Sequence, residues 1–383
     1  MRHQALAALA RLQKIVAVIM ALTVLNIGLP MVAGQSPERS PVLQDASIDP
    51  IPMMAYYYIW FDVTSWNRAK SDYPVLGRYS SDDRAIMEQH IEWAQAAGID
   101  GFIVSWKSTF QLDSRLELLI ELADAHDFRL WIIYQGLDFE RNPLPIERIE
   151  SDLEYFIEEY SAHPAFATYD RPVVIWSGTW EFSRDEVNAV SNRVRNRLLL
   201  LATERNLDGY NRLADLIDGN AYYWSSVNPA TYPRYQEKLD EMGAAIHENG
   251  GLWIAPAAPG FDARMIGGTT VVERNDGETL RIQLNTALNS NPDAIGLISW
   301  NEFSENTHVE PSELYGSQAL DVLRGRESAE IPLPLDFDSS DPGTTNVSDT
   351  YSLSVLVGLG LFMLACFAIV IYRWAVTNTK KQV

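Results

Sequence analysis

The chain has 383 residues, enough for one domain of about 250 to 300 residues plus appendages. Its 47% hydrophobic and 11% aromatic content supplies a large core and excludes wholesale disorder. A formal charge of −21 argues against nucleic acid or an anionic lipid surface as the main partner.

At the N-terminus Arg2, Arg11 and Lys14 precede the apolar run from Ile15 to Leu29, which Pro30 breaks before the small residues around Val32 and Gly34. This is the pattern of a secretory signal over residues 1–34. Residues 1–35 and 351–383 hold no Asp or Glu and three Lys or Arg each. The middle of the chain therefore keeps 24 of the 30 basic residues and all 51 acidic ones.

From residue 48 to 327, strand-like apolar runs alternate with helical stretches. The runs are Met53–Trp60, Gly101–Trp106, Leu130–Tyr134, Pro172–Trp176, Leu216–Trp224, Leu252–Ala257 and Ile295–Trp300. Between the first two, Asp82 or Asp83 can cap a helix whose inner side carries Ile86, Met87, His90, Ile91 and Ala94, with Gly98 closing it. Lone apolar strands between helices imply a parallel sheet covered on both faces, and seven or more such units imply an α/β fold closed as a (β/α)₈ TIM-type barrel. Seven strands are legible and the eighth is not. Tyr and Trp residues gather at the strand ends, including Tyr56–Tyr58 and Trp60, Trp106, Tyr134, Trp176, Tyr222–Trp224 and Trp300. Flat rings with polar tips at one rim suit sugars as well as they suit a core.

The last of these strands, Ile295–Trp300, runs into Asn301, Glu302, Ser304 and Glu305. It delivers two carboxylates at the strand end where barrels place their chemistry. Acids three residues apart share a face of a helical turn or point apart in extended chain, so the spacing leaves their separation open. Two neighbouring acids in a dry cleft can split their pKa values into an acid and a base, and glycosidases commonly use such a pair. No HExxH, GxSxG or P-loop sequence occurs, and the six His residues are scattered, so neither a metal nor a cofactor is expected.

Residues 328–351, with Pro332, Pro334, Pro342 and Gly343 among Ser, Thr and Asp, suit a flexible stalk. Leu353–Ile371 is uncharged for 19 residues, enough for a transmembrane helix over 352–372. Tyr372 and Trp374 fit the interface, and Arg373, Lys380 and Lys381 would keep a tail of residues 373–383 on the cytoplasmic side. The expected arrangement is a single-pass cell-membrane protein, bilayer-bound through that helix, with its acidic domain facing out. The sole cysteine, Cys366, lies in the membrane segment, so the domain is expected to hold without disulfides.

Four motifs in order carry a resemblance: VLGRYSSDD (75–83), AGIDGFIVSW (97–106), PGFDAR (259–264) and SWNEFSE (299–305) with VEP (309–311). Together they resemble glycoside hydrolase family 99, the endo-α-1,2-mannosidases and endo-α-1,2-mannanases, over about Met53–Leu323. The resemblance implies a (β/α)₈ barrel, cleavage within α-mannoside oligo- or polysaccharides with retention, and no metal in the chemistry. It implies that Glu302 deprotonates the substrate's own 2-hydroxyl, giving a 1,2-anhydro sugar, and that Glu305 protonates the leaving oxygen and later activates water. Asn301 and Arg264 match substrate-contacting positions, as do Tyr57, Trp106 and Tyr223. The chain departs from the family pattern at Phe303-Ser304, where the family has Trp-His, at the first strand, and at Lys107, where a second Trp is expected. Two alternatives stand beside this reading: a related barrel α-glucan hydrolase, and a non-catalytic surface carbohydrate-binding protein.

Overall fold

The computed structural model describes residues 51–325. The leader, the stalk, the expected transmembrane helix and its tail all lie outside the described residues. Among the described residues no helix is long and apolar enough to cross a membrane.

Eight parallel strands close into a barrel. They are β1 (Met53–Tyr58), β2 (Gly101–Trp106), β3 (Arg129–Gln135), β4 (Val173–Ser177), β5 (Leu199–Ala202), β6 (Gly219–Ala221), β7 (Leu252–Ala257) and β8 (Ala294–Leu297). The helices around them are α1 (Arg84–Ala96), α2 (Phe110–Ala125), α3 (Ile146–Glu159), α4 (Arg184–Val194), α5 (Leu207–Leu213), α6 (Tyr235–Glu248), α7 (Glu278–Asn289) and α8 (Gln318–Leu323). Strand follows strand around the barrel in chain order, and β1 meets β8 to close it. The expected (β/α)₈ barrel is thus present.

The missing strand is β5. Its Leu-Leu-Leu-Ala sequence comes five residues after the end of α4 and contains no β-branched residue, so local propensity favours continued helix. Pairing on both sides overrides that preference, with β5 lying between β4 and β6. Three strands end earlier than their aromatic runs suggest. β1 stops at Tyr58, β6 at Ala221 and β8 at Leu297, and the aromatic residues beyond belong to the loops of the upper face.

Alternation along the strands builds two apolar layers. Met54, Tyr56, Ile103, Trp131, Ile133, Val173, Ile175, Leu199, Leu201, Leu252 and Ile254 fill the barrel interior. The opposite parity, including Ala55, Tyr57, Phe102, Val104 and Trp106, packs against the helices. In α1 the inner residues Ile86, Met87, His90, Ile91 and Ala94 are all buried. The choice between the two candidate caps is resolved by division of labour: the Asp83 side chain accepts from Ala85 N and caps α1, while Asp82 takes both Nε and Nη2 of buried Arg115 at 2.7 and 2.6 Å. Arg115 also donates to Ile59 O at 2.9 Å, which ties α2 to the end of β1.

Gly219 opens β6 at φ +154°, and a methyl group there would sit 2.2 Å from the Leu252 carbonyl oxygen of β7. Gly98, at φ +78°, faces open space. Gly219→Ala should therefore cost about 3 kcal/mol through a backbone clash that no rotamer relieves. Gly98→Ala should cost about 1 kcal/mol through conformation alone. Urea unfolding of the two variants checks the order; equal losses would show that the β6–β7 contact is soft.

Candidate active site

A cavity of about 700 Å³ opens at the C-terminal ends of the strands. Its wall takes Tyr58 from the end of β1, Gln135 from β3, Ser177 from β4 and Thr203 from just after β5. Loop residues complete it, among them Trp60, Trp180, Tyr223 and Trp224, with Glu302 and Glu305 on the loop after β8. The question of the glutamate spacing is settled by a turn: residues 303–306 curl back, and both side chains line the same cavity.

That turn is held from several sides. Ser299 Oγ accepts from Glu302 N at 2.9 Å, Ser299 N donates to Thr307 O at 2.9 Å, and Thr307 N donates to Glu302 O at 3.2 Å. Phe303 points away from the cleft, stacked on His308 with centroids 4.0 Å apart and packed edge-on to Trp66. His308 Nε2 meets Asp72 Oδ2 at 3.0 Å, and buried Arg274 donates to the carbonyls of Asn306 and His308 while lying over the Tyr315 ring. Burial, and then the charge of Arg274, push His308 down to about 3. The ring is thus neutral, with its proton on Nε2 toward the Asp72 carboxylate.

Both carboxyls are raised. Glu302 is only 8% exposed, and loss of solvent, then the charge of Glu305, lift it to about 7. The Ser304 N–H, at 3.0 Å from Oε1, and the Lys70 ammonium pull the other way. Loss of solvent also raises Glu305, against the charge of Arg141. Beside the pair, Tyr58 and Tyr223 share a hydrogen bond of 2.7 Å between their hydroxyls, and burial raises both phenols well above their ordinary value. They remain neutral, able to donate to an oxygen that becomes negative.

The seven residues singled out from the sequence fall into four groups. Glu302, Glu305 and Tyr223 line the cavity. Asn301 is fully buried and does not line it: its Oδ1 accepts from Tyr58 N at 2.9 Å and its Nδ2 donates to Tyr58 O at 3.0 Å, so it fixes Tyr58. Arg264 does not line the cavity either: its largely exposed side chain is forked onto Asp262, whose own N–H donates to Glu305 O at 2.8 Å. Tyr57 and Trp106 are corrected by strand parity. Each faces the helices, Tyr57 bonded to His90 Nδ1 at 3.0 Å and stacked on Phe102, Trp106 donating to Asp113 at 2.9 Å. Their neighbours Tyr58 and Ser105 hold the inward places; Ser105 Oγ accepts from Gln135 Nε2 at 3.0 Å. Sequence reasoning missed Lys70, Arg141, Trp180 and Arg205, which sit in loops with no pattern to mark them.

Among the described residues no three His, Cys, Asp or Glu side chains come together as a metal site.

The profile of glycosyl hydrolase family 99 matches residues 62–328. Rat glycoprotein endo-alpha-1,2-mannosidase is 24% identical over 263 residues, covering 63% of this chain and 56% of the rat protein. The mouse endo-alpha-1,2-mannosidase-like protein is 21% identical over 294 residues, covering 69% of this chain and 63% of its own length. The chain thus spans somewhat over half the length of the curated relatives it matches. In fold it is similar to the GH99 endo-alpha-mannosidase of Bacteroides thetaiotaomicron, with a TM-score of 0.64 at 19% identity, over 73% of this chain and 96% of that structure. With the profile covering well over half its length, and the motif residues Glu302 and Glu305 facing one cavity, the chain belongs to glycosyl hydrolase family 99.

Proposed function

We propose that this protein hydrolyses α-mannosides from within the chain, with retention of configuration, using Glu302 as base and Glu305 as acid. The observation that carries the reading is one cavity holding two desolvated carboxyls beside a neutral phenol pair. Glu302 removes the proton of the substrate 2-hydroxyl. That oxygen attacks the anomeric carbon as the glycosidic bond breaks, and Glu305 gives its proton to the leaving oxygen. The resulting 1,2-anhydro sugar opens when Glu305 takes a proton from water, the water oxygen bonds to the anomeric carbon, and Glu302 returns its proton to O2. Two carboxylates with the substrate hydroxyl in place of an enzyme nucleophile form a substrate-assisted variant of glycosidase chemistry. In the empty cleft Glu305 ionises before Glu302, so these roles require bound substrate to leave the pair's one proton on Glu305, and Tyr58 and Tyr223 are placed to donate to developing charge.

We also propose that residues 352–372 hold the barrel on the outer side of a cell membrane. The support is the uncharged Leu353–Ile371 run, its cationic flank and the leader-like N-terminus. The full chain should then sediment with membranes and resist carbonate extraction, whereas a chain limited to residues 36–340 should stay in the supernatant and turn over substrate. A membrane-bound short chain would remove the anchor from its assigned place.

The acid and base roles separate by leaving group. Glu305→Gln should cripple hydrolysis of natural oligosaccharides, by about 10²-fold or more, yet spare aryl mannosides whose leaving group needs little protonation. Glu302→Gln should abolish both. Covalent trapping of a 2-fluoro mannosyl donor on either glutamate would show an enzyme nucleophile instead.

The elevated Glu302 carboxyl also fixes the direction of the pH responses. Acid and base coexist only while the pair holds one proton, and Glu302, raised by the charge of Glu305, is the last to lose it, so kcat/KM should fall about tenfold per unit above pH 7, and Lys70→Met should move that limb to higher pH by removing a cation that favours the carboxylate. A profile that stays flat up to about pH 9 would exclude a shared proton as the working state. Because the folded state holds this proton more tightly than the unfolded chain, Glu302 is compatible with the fold below about 4.5, and stability is lost as pH rises through about 7. Glu302→Gln should therefore stabilise the protein by about 2 kcal/mol at pH 8 and leave it unchanged at pH 4, as read by thermal unfolding.

A further inference from the structure

The cleft holds cations that form no direct ion pair with its acids. Arg205, just after β5, lies with its guanidinium 3.5 Å from the Trp180 ring centroid. Arg141 sits in the loop between β3 and α3 at φ 65°, in a turn pinned by Arg141 N to Asp138 O at 3.1 Å, Asn142 N to Asp138 Oδ1 at 2.8 Å and a bridge between Leu137 and Pro143. Both line the cavity, and among the described residues neither guanidinium forms an ion pair or side-chain hydrogen bond. Lys238, a third cation on the wall, is likewise without an ion pair there. Of the cavity's acids, Glu241 is taken by Arg234 at 2.8 Å, and Glu302 and Glu305 belong to the chemistry. Near Arg205, Glu204 is bound to Arg212 at 3.1 Å, leaving exposed Glu181 as the other acid whose charge it feels.

Guanidiniums left without an ion pair in a chain of net charge −21 run against its overall balance. Arg141 and Arg205 are near enough for each charge to work against the other: burial first, then Arg141, lowers Arg205 from its ordinary value. Stacking on Trp180 fixes one face of the Arg205 guanidinium and leaves its N–H edge for an acceptor. An anion between two such forks relieves the repulsion and gains charge-assisted hydrogen bonds. Arg141 and Arg205 line the same cavity as Glu302 and Glu305, and the charge of Arg141 reaches Glu305.

We propose that the wall of the cleft at Arg141 and Arg205 is a subsite for a sugar carrying an anionic substituent: a phosphate, a sulfate or a uronic carboxylate. The inference rests on the cleft being a glycan site and deepens that reading by naming the charge of the glycan.

The test compares a neutral α-mannan oligosaccharide with three derivatives that bear a 6-phosphate, a 6-sulfate or a 6-carboxylate on the sugars flanking the cleaved bond. Calorimetry with the Glu302→Gln protein reads binding without turnover. At least one anionic derivative should bind about tenfold tighter than the neutral one at low salt, with the advantage shrinking at 0.5 M salt. In Arg141→Gln/Arg205→Gln on the same background, the ratio of anionic to neutral affinity should fall toward one; which derivative gains most identifies the substituent. Equal affinity for all four ligands, or an anion preference that survives the double substitution, overturns the subsite. Turnover of the neutral oligosaccharide by the unmodified enzyme reports separately on the glycosidase reading, so the two can fail independently.

Discussion

The site depends on how the barrel closes. β1 and β8 pair through only three registered positions, Met53 with Ile295, Met54 with Gly296 and Ala55 with Leu297. Beyond them one more backbone bond, Trp300 N to Tyr56 O at 2.7 Å, joins the two segments, and the Asn301 carboxamide then takes over, presenting an acceptor to Tyr58 N and a donor to Tyr58 O as a neighbouring strand would. One side chain thus extends the sheet by a residue and locks the inward Tyr58 against the loop that carries both glutamates. Behind it runs a buried chain of contacts: Asn301 Nδ2 to Tyr79 Oη at 3.3 Å, Tyr79 to Glu310 at 2.8 Å, Glu310 to His90 at 3.1 Å, and His90 to Tyr57. The network ties the glutamate loop, the first strand and α1 into one body, and a fully satisfied buried network specifies a single arrangement.

The fold was largely legible because a barrel strand buried on both faces leaves an apolar run with helix caps and glycines on either side. β2 and β7 match their runs residue for residue, since Gly101 and Gly251 mark where each begins. β5 was not legible: four residues without branching carry no strand signal, and only the neighbours decide. The glutamates were found because they interrupt an apolar run. Tyr57 was misplaced because three successive tyrosines erase the alternation that tells inside from outside, and Trp106 because the inward residue beside it is a serine. Arg141 and Arg205 left no trace, since a loop cation reads the same in solvent as in a cleft.

Departures from the family pattern in the glutamate loop are structural as much as chemical. Phe303 serves as a hydrophobic anchor, wedged between Trp66 and His308, while Ser304 turns to within 3.4 Å of Lys70 Nζ. The loop is therefore fastened by an apolar wedge inside and a cation outside, with the carboxylates between. At the first strand, Trp60 stacks on Tyr58 with centroids 4.3 Å apart, so the altered sequence there still brings an aromatic face to the cleft.

The neutral imidazole of His308 gives the loop a useful insensitivity. Sandwiched beneath Phe303, faced by Arg274 and bonded to Asp72, it would have to accept a second proton next to a buried guanidinium, so mild acid leaves its bonds intact. Its shift to about 3 lies well below the range in which Glu302 titrates. The bracket that holds the two carboxyls is thus silent over the range in which Glu302 changes charge: under the proposed roles, a change of turnover there reads the proton on that carboxyl, with no collapse of its support mixed into the signal.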